Sequence, residues 1–218
     1  MDADDRKYIR TLIGQGEHDQ LDFKFEISDA RKIARTLSAF SNTRGGRLLI
    51  GVKDNGRIAG IRSDEEYYML ESAATLHCRP AVAFESRKYL VDGKQVLEAY
   101  IPPVENKPVF ARDDRKRWMA YIRVGDENFL AHIVQLNLWK EEQRSEGQSL
   151  VFDRSQEILL DFLRRLGPGS LETLVRETGM KRKALIHDLT VLVRFDVLEL
   201  YHREGEVLFK LRDTPGRP

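Results

Sequence analysis

Cysteine is nearly absent from this sequence, because its 218 residues include only Cys78. A single cysteine excludes an intrachain disulfide and any site that needs several thiolate ligands, and it favours a reducing, cytoplasmic location. The acidic first five residues lack the apolar segment that is typical of a signal peptide. No run of about 18 apolar residues occurs either, so we expect no membrane span.

An excess of charge of one sign is also lacking. The chain carries 36 Lys and Arg residues against 35 Asp and Glu residues, which gives a formal net charge of +1. A nearly neutral chain has no overall basic field that would attract nucleic acid. Any electrostatic attraction to nucleic acid must therefore come from local clusters of basic residues.

Several motifs of known enzyme classes are missing. The five histidines do not have the spacing of a zinc site. The phosphate loop G-x-x-x-x-G-K-[ST], the nucleophile elbow G-x-S-x-G and the dinucleotide turn G-x-G-x-x-G do not occur. On these grounds we expect no cofactor.

Hydrophobic periodicity in residues 1–143 predicts an α+β domain with a mostly antiparallel sheet. The segment from Leu48 to Val52 is continuously apolar, as in a central buried strand. Helices are predicted at residues 6–14, 29–40, 64–76 and 128–139. Further strands are predicted at residues 21–24, 58–61, 82–89, 95–101 and 119–124.

The pattern changes after this first domain. The stretch from Glu141 to Ser149 is polar and aperiodic, which indicates a linker, and we place this linker at residues 144–152. Residues 153–218 then show three helical patterns followed by a hairpin. Ser170 is expected to cap the second of these helices and Gly179 to end it. This order of elements resembles a winged helix-turn-helix, which is a small DNA-binding domain.

A set of motifs in the first domain occurs in an order that carries a family resemblance. Its members are Glu17, Leu21, Asp22, Phe23, Lys24, Ala39, Phe40, Asn42, Thr43, Gly45, Gly46, Ile50, Gly51, Val52, Asp54, Gly56, Gly60, Ile61 and the run Tyr121-Ile122-Arg123-Val124-Gly125. They resemble the Schlafen-type, Alba-like DNA-binding domain family over about residues 14–130. The resemblance implies a nucleic-acid partner, and DNA more than RNA.

Three acidic residues of this pattern are candidates for catalysis. In eukaryotic Schlafen nucleases, carboxylates at the corresponding positions are linked to metal-dependent RNA cleavage, which implies Glu17, Asp22 and Asp54 here. Clustered carboxylates bind Mg²⁺ or Mn²⁺, which stabilises phosphate charge and activates water. Asp22 departs from the family, which usually has Glu. Alternatively, Glu17 and Asp22 pair with nearby basic residues, and Asp54 begins an Asp-Asn-Gly turn.

The turn after the second predicted helix contains Arg44, Gly45, Gly46 and Arg47. Glycine amides and arginine side chains in such a turn can bind a phosphate, so these four residues are candidate phosphate ligands. The alternative is structural, since a helix that turns directly into a strand needs small residues there.

The densest basic cluster lies in a predicted loop before a strand. It contains Arg112, Arg115, Lys116 and Arg117, with Trp118 beside them. The basic side chains would bind phosphates while the indole ring stacks on a base. The alternative is a solvated loop, because Asp113 and Asp114 within the cluster cancel part of its charge.

The third helical pattern of the C-terminal domain opens with Lys181, Arg182 and Lys183. Basic residues at a helix N-terminus oppose the helix dipole, so an anionic partner such as a DNA backbone would compensate them. His187 and Arg194 follow, with Thr190 between them, at helical spacing away from the leucine stripe, as in a major-groove reader. The alternative is a protein-interaction domain with a charged outer face.

The sequence therefore predicts a nucleic-acid-binding protein with an Alba-like α+β domain and a winged helix. The favoured function is a DNA-binding transcriptional regulator without catalysis, with a homo-oligomer left open. A metal-dependent nuclease that uses Glu17, Asp22 and Asp54 with Mg²⁺ or Mn²⁺ is the first alternative. The second is a nucleotide-sensing or protein-interaction adaptor.

Overall fold

Seven helices and eleven strands occur in the computed structural model, which describes residues 3–143 and 153–212. Contacts divide the chain into unit 1, Met1–Ala131, and unit 2, His132–Pro218. The α+β class predicted from the sequence is confirmed. In the described ranges, no helix is both long and apolar enough to cross a lipid bilayer. The predicted linker at 144–152 lies outside the described residues.

Unit 1 is built on a first sheet of four strands with helices packed against it. Its strands have the order β1-β2-β5-β4, in which β1 and β2 run parallel and the other neighbours antiparallel. The elements of this part are α1 (Ala3–Gln15), β1 (Leu21–Lys24), α2 (Ala30–Asn42), β2 (Gly46–Ile50), α3 (Glu65–Leu76), β4 (Glu85–Val91) and β5 (Lys94–Ile101).

Helix α2 forms because capping and periodicity agree. The Asp29 side chain accepts a hydrogen bond from the Arg31 amide at 2.9 Å and so caps the helix. Ile33, Leu37 and Phe40 recur at helical spacing and are buried against the sheet. Strand β2 is buried on both faces, as its continuous apolar run predicts.

A second sheet has the strand order β3-β6-β7-β8. Its strands are β3 (Cys78–Arg79), β6 (Phe110–Arg112), β7 (Trp118–Val124) and β8 (Glu127–Leu130). The prediction of a helix from residue 128 was wrong at its start, because residues 127–130 pair with β7 across a hairpin turn at Gly125. The strand predicted at 58–61 was also wrong, since only an isolated bridge joins Val52 and Ile58.

Asn42 at the end of α2 ties the helix to the second sheet. Its Nδ2 donates to the carbonyl oxygens of Val109 and Tyr121 at 2.8 and 2.9 Å. Its Oδ1 accepts from the Val109 amide at 2.7 Å. Since Asn42 is buried, these bonds satisfy groups whose desolvation would otherwise be costly. The asparagine of the family pattern therefore has a structural role here.

In residues 132–143 and 153–212, unit 2 has four helices and a small sheet with the strand order β10-β11-β9. Its elements are α4 (Ile133–Glu142), α5 (Arg154–Leu166), β9 (Gly169–Ser170), α6 (Leu171–Thr178), α7 (Arg182–Arg194), β10 (Leu198–Arg203) and β11 (Glu206–Leu211). Ser170 caps α6 by accepting from the Thr173 amide, and Gly179 ends it in the left-handed region, as the sequence predicts. Buried leucines of α5, α6 and α7 form the core.

Helix α4 packs with unit 2, whereas the predicted boundary at residue 143 assigned it to the first domain. Val134 and Leu138 are buried in the core of unit 2. The ring of His132 lies 5.5 Å from the ring of Phe209, and Glu141 pairs with Arg194 of α7 at 3.2 Å. A helix can be predicted from local sequence, but which neighbouring element covers it depends on tertiary packing.

Candidate nucleic-acid interface

The first turn of α7 presents the exposed basic side chains that the sequence assigned to DNA contact. Lys181 occupies the N-cap position, and Arg182 and Lys183 follow it. Arg182 Nη1 lies 3.0 Å from Glu172 Oε1, and both side chains of this pair are more than half exposed. A solvent-exposed ion pair of this kind contributes little to stability, so an incoming phosphate can compete with Glu172 for the guanidinium. His187, one turn further, is also exposed.

The second half of the same helix face is covered. Thr190 is only 1% exposed, and its hydroxyl donates to the Ile186 carbonyl at 2.7 Å. Arg194 is held by Glu141 of α4 at 3.2 Å. Thr190 is therefore buried, and Arg194 is partly buried in a pair with α4, so the exposed part of this helix face is its N-terminal half. A DNA contact by Arg194 stays a prediction.

The basic loop of unit 1 is organised around Asp113. This carboxylate is 8% exposed and accepts from the amides of Arg115 and Arg117 at 2.9 and 2.8 Å, and from Arg117 Nε at 2.8 Å. Hydrogen bonds from the Arg117 amide and side chain lower the pKa of Asp113. Arg115, Lys116 and Arg117 remain exposed around it. The loop is thus a fixed turn with part of its charge balanced internally.

Two further arginines, which sequence reasoning missed, join this loop. Arg31 and Arg35 of α2 approach the Asp114 carboxylate at 3.6 and 2.9 Å. Their four-residue spacing on a helix was the available signal, but their meeting with the loop depends on packing between distant segments. The guanidinium of Arg112 lies over the ring of Trp118, which is 37% exposed. This ring is accessible for stacking.

Asp22 of the acidic candidates is a buried member of an ion pair. It is 2% exposed, and its Oδ1 accepts from Arg123 Nη2 at 3.2 Å. Its Oδ2 lies 2.8 Å from Lys24 Nζ. Arg123 is also buried, and it donates to the carbonyl oxygens of His18 and Leu21 and to Asn128 Oδ1. Both charges of this buried pair face an opposite charge, and removing either partner would leave the other charge buried, so the pair has a structural role.

Glu17 lies beside Asp22, whereas Asp54 does not join them. Glu17 Oε1 accepts from the Phe23 amide at 2.9 Å, and burial followed by the neighbouring Asp22 carboxyl raises the pKa of Glu17. Asp54 is exposed in a turn. Within residues 3–143 and 153–212, no three His, Cys, Asp or Glu side chains are grouped as a metal site requires. The residues present therefore do not fit a three-carboxylate site for Mg²⁺ or Mn²⁺.

The glycine turn is occupied by contacts within the protein. The Gly45 amide donates to the Phe40 carbonyl at 2.9 Å, and the Arg47 amide donates to the Gln20 carbonyl at 2.8 Å. Arg44 pairs with Asp19, and Arg47 Nε pairs with the buried Glu98 at 3.0 Å. Gly46 packs its backbone against the ring of Phe40. These contacts favour the structural alternative for the turn over phosphate binding.

The family model described as Schlafen, AlbA_2 matches residues 17–132. This match covers more than half of the chain, which therefore belongs to the Schlafen, AlbA_2 family. The matched region ends where unit 1 ends, so α7 and the rest of unit 2 lie beyond it. No match was found among curated proteins.

Two solved structures are similar to this chain at low identity. One is the crystal structure of the DIP2311 protein from Corynebacterium diphtheriae, with 20% identity, a TM-score of 0.48, and coverage of 84% of this chain and 36% of that one. This chain thus spans about a third of the length of DIP2311. The other is the solution structure of the N-terminal domain of a protein related to the ATP-dependent DNA helicase RecG from Nitrosomonas europaea. It has 21% identity and a TM-score of 0.44, and the match covers 71% and 97% of the two chains.

Proposed function

We propose that this chain is a DNA-binding protein that acts as a transcriptional regulator without catalysis. In this proposal unit 2 is a winged helix-turn-helix, in which α6 and α7 are the two helices of the motif and the β10–β11 hairpin is the wing. The observation that carries the proposal is the exposed basic first turn of α7. Recognition helices of this class contact DNA through their N-terminal residues.

Electrostatics at α7 support an anionic partner. Three consecutive basic residues, Lys181 to Lys183, lie where the helix dipole is positive. In the described part of the chain, no acidic residue occupies the first turn of α7 and no side chain caps it. Each unfavourable charge–dipole contact costs about 0.3–1 kcal/mol, and a DNA phosphate would offset it.

The basic loop of unit 1 supports a second contact with nucleic acid. Arg31, Arg35 and the exposed residues Arg115 to Arg117 lie together, with the accessible ring of Trp118 nearby. Basic side chains beside an exposed aromatic ring suit an unpaired strand better than a duplex, since the ring needs an unstacked base. A protein-interaction adaptor would not require this combination.

Catalysis is not part of the proposal. Arg123 and Lys24 balance the charge of Asp22, and within the described residues Asp54 does not complete a group of three carboxylates with Glu17 and Asp22. A nuclease that positions a metal ion needs several carboxylates directed at one point. The pairing of Glu17 with Asp22 is the observation that would favour the nuclease alternative, and a cleavage assay with Mn²⁺ tests that alternative.

A salt-dependent binding titration tests the proposed function. Labelled duplex DNA, single-stranded DNA and RNA of one sequence are titrated by fluorescence anisotropy at several salt concentrations. We expect the protein to bind duplex DNA. In a plot of the logarithm of the association constant against the logarithm of salt concentration, the slope should be about −0.9 for each phosphate contacted. Absence of duplex binding at low salt, or binding that salt does not weaken, contradicts the proposal. A parallel titration with ATP tests the nucleotide-sensing alternative.

A further inference from the structure

Helix α4 changes the way in which unit 2 can meet a duplex. It packs alongside α7, buries Thr190 and holds Arg194 through Glu141 at 3.2 Å. Packed helices lie about 8–10 Å apart, and each is about 10–12 Å across. The pair is therefore about 20 Å wide, while the major groove of B-DNA is only about 12 Å wide. The α4–α7 pair cannot lie lengthwise in the groove.

An open groove between the two helices remains accessible. It has a volume of about 530 Å³, and its lining includes Asn137 of α4 together with Arg182, Lys183 and His187 of α7. The carboxylate of Glu141 also lines it, but Arg194 already balances that charge. The remaining charged side chains of the lining are basic. The groove therefore combines positive charge with an amide, which are groups that commonly bind a phosphodiester backbone.

We propose that this α4–α7 groove holds one phosphodiester strand of the duplex. The side-chain NH₂ of Asn137 donates a hydrogen bond to a phosphate beside Lys183. In this arrangement only the first two turns of α7 approach the base edges, and α4 is part of the DNA-binding surface. The inference rests on the proposed function and adds a binding residue outside the helix-turn-helix. It also limits direct base contact by α7 to residues up to His187.

A negative charge introduced at Asn137 tests the inference against a matched control. Asn137→Asp places a carboxylate where the strand would lie, so we expect duplex affinity to fall about tenfold at low salt. Gln135→Glu makes the same chemical change on the same helix, at a position outside the groove lining. We expect it to lower affinity by no more than about twofold, which is the general effect of one added negative charge.

A protection experiment gives a second readout that does not depend on affinity. The only native thiol, Cys78, is buried, and burial raises its pKa to about 12, so it reacts poorly with thiol reagents. Asn137→Cys and Gln135→Cys each add one accessible thiol on α4. We expect saturating duplex to slow labelling at position 137 by about tenfold or more and to leave position 135 little changed. Thermal unfolding confirms that each variant is folded.

The outcomes separate the inference from the function on which it rests. If the wild-type protein does not bind duplex DNA, the proposed function fails and the inference fails with it. If the wild type binds but Asn137→Asp and Gln135→Glu weaken binding equally, the function stands and the groove is not the binding site. Labelling of the thiol at position 137 that duplex does not slow likewise places the binding site outside the groove.

Discussion

The polar residues of the family pattern in unit 1 and the basic residues at the start of α7 in unit 2 differ in exposure and in role. In unit 1, residues of the family pattern such as Asp22, Asn42 and Arg123 are buried and make hydrogen bonds that hold the fold. In unit 2, the basic side chains of the first turn of α7 are exposed. The family match ends at residue 132. Family membership therefore accounts for the framework of unit 1 and leaves the surface proposed to contact DNA unexplained.

The largest expected effect is on the framework of unit 1. Gly45 has a φ of +72°, and a Cβ atom there would lie 2.7 Å from the Ile101 carbonyl oxygen and 2.8 Å from Pro103 Cδ. Gly45→Val should therefore cost about 2–6 kcal/mol from backbone strain and overlap. Native domains have only about 5–15 kcal/mol of stability. Thermal unfolding, with and without DNA or ATP, measures the loss.

Gly93→Val is the matched control for this variant. Gly93 also has a positive φ, of +75°, but open space surrounds its missing side chain. It should show the conformational strain alone, about 1–2 kcal/mol. A Gly45→Val protein that keeps its melting temperature and loses only ligand binding would show that the turn is a phosphate site after all.

A second effect on the framework concerns the buried ion pair. Arg123→Met leaves Asp22 buried with Lys24 as its remaining partner, so unfolding in urea should show a loss of about 3–5 kcal/mol. Arg165→Met breaks an exposed pair with Asp161 and should cost less than about 0.5 kcal/mol. If the free energy of unfolding falls by the same small amount in both variants, the pair of Asp22 and Arg123 does not stabilise unit 1.

A moderate effect separates the two basic surfaces. The double variant Arg182→Ala with Lys183→Ala should lower duplex affinity about tenfold or more without changing the melting temperature, because both side chains are exposed. Arg112→Ala with Arg115→Ala should lower duplex affinity only about two- to threefold, since the acids Asp113 and Asp114 balance part of that loop. Fluorescence anisotropy measures the duplex affinity of both double variants. Equal losses of affinity would show that α7 is not the main duplex contact.

The last prediction, for which we expect no effect, concerns cleavage of nucleic acid by this protein. Labelled RNA and DNA incubated with the protein and Mn²⁺ should remain intact, because Asp22 is already paired and the described residues do not group three carboxylates at one point. Cleavage that requires Mn²⁺ and disappears in Asp54→Asn would restore the nuclease alternative. A preparation of Asp54→Asn purified in the same way excludes a contaminating nuclease.

Local signals in the sequence predicted much of the fold. The buried stripe of α2, the apolar strand β2, the cap at Ser170 and the end of α6 at Gly179 all depend on residues close together in the chain. Neighbouring residues are sufficient for such features, since caps and periodicity act within a few positions. The class and the main elements could therefore be predicted before the structure was known.

Features that depend on distant residues could not be predicted. Asp22 and Arg123 are 101 positions apart, so no local pattern indicates that one neutralises the other. The meeting of Arg31 and Arg35 with the loop at Asp114 has the same origin. The covering of Thr190 by α4 is a third case. In each case tertiary packing decides whether a charged or polar side chain is available to a ligand.

The packing of α4 also decides where the chain can be cut into separately expressed pieces. Val134 and Leu138 fill part of the leucine core of unit 2. A fragment that starts at residue 144, after the polar stretch has begun, would lose both side chains and leave apolar surface open to solvent, which promotes aggregation. A fragment that starts at His132 keeps them. The boundary between two separately expressed fragments should therefore lie before α4, although the sequence pattern assigns α4 to the first domain.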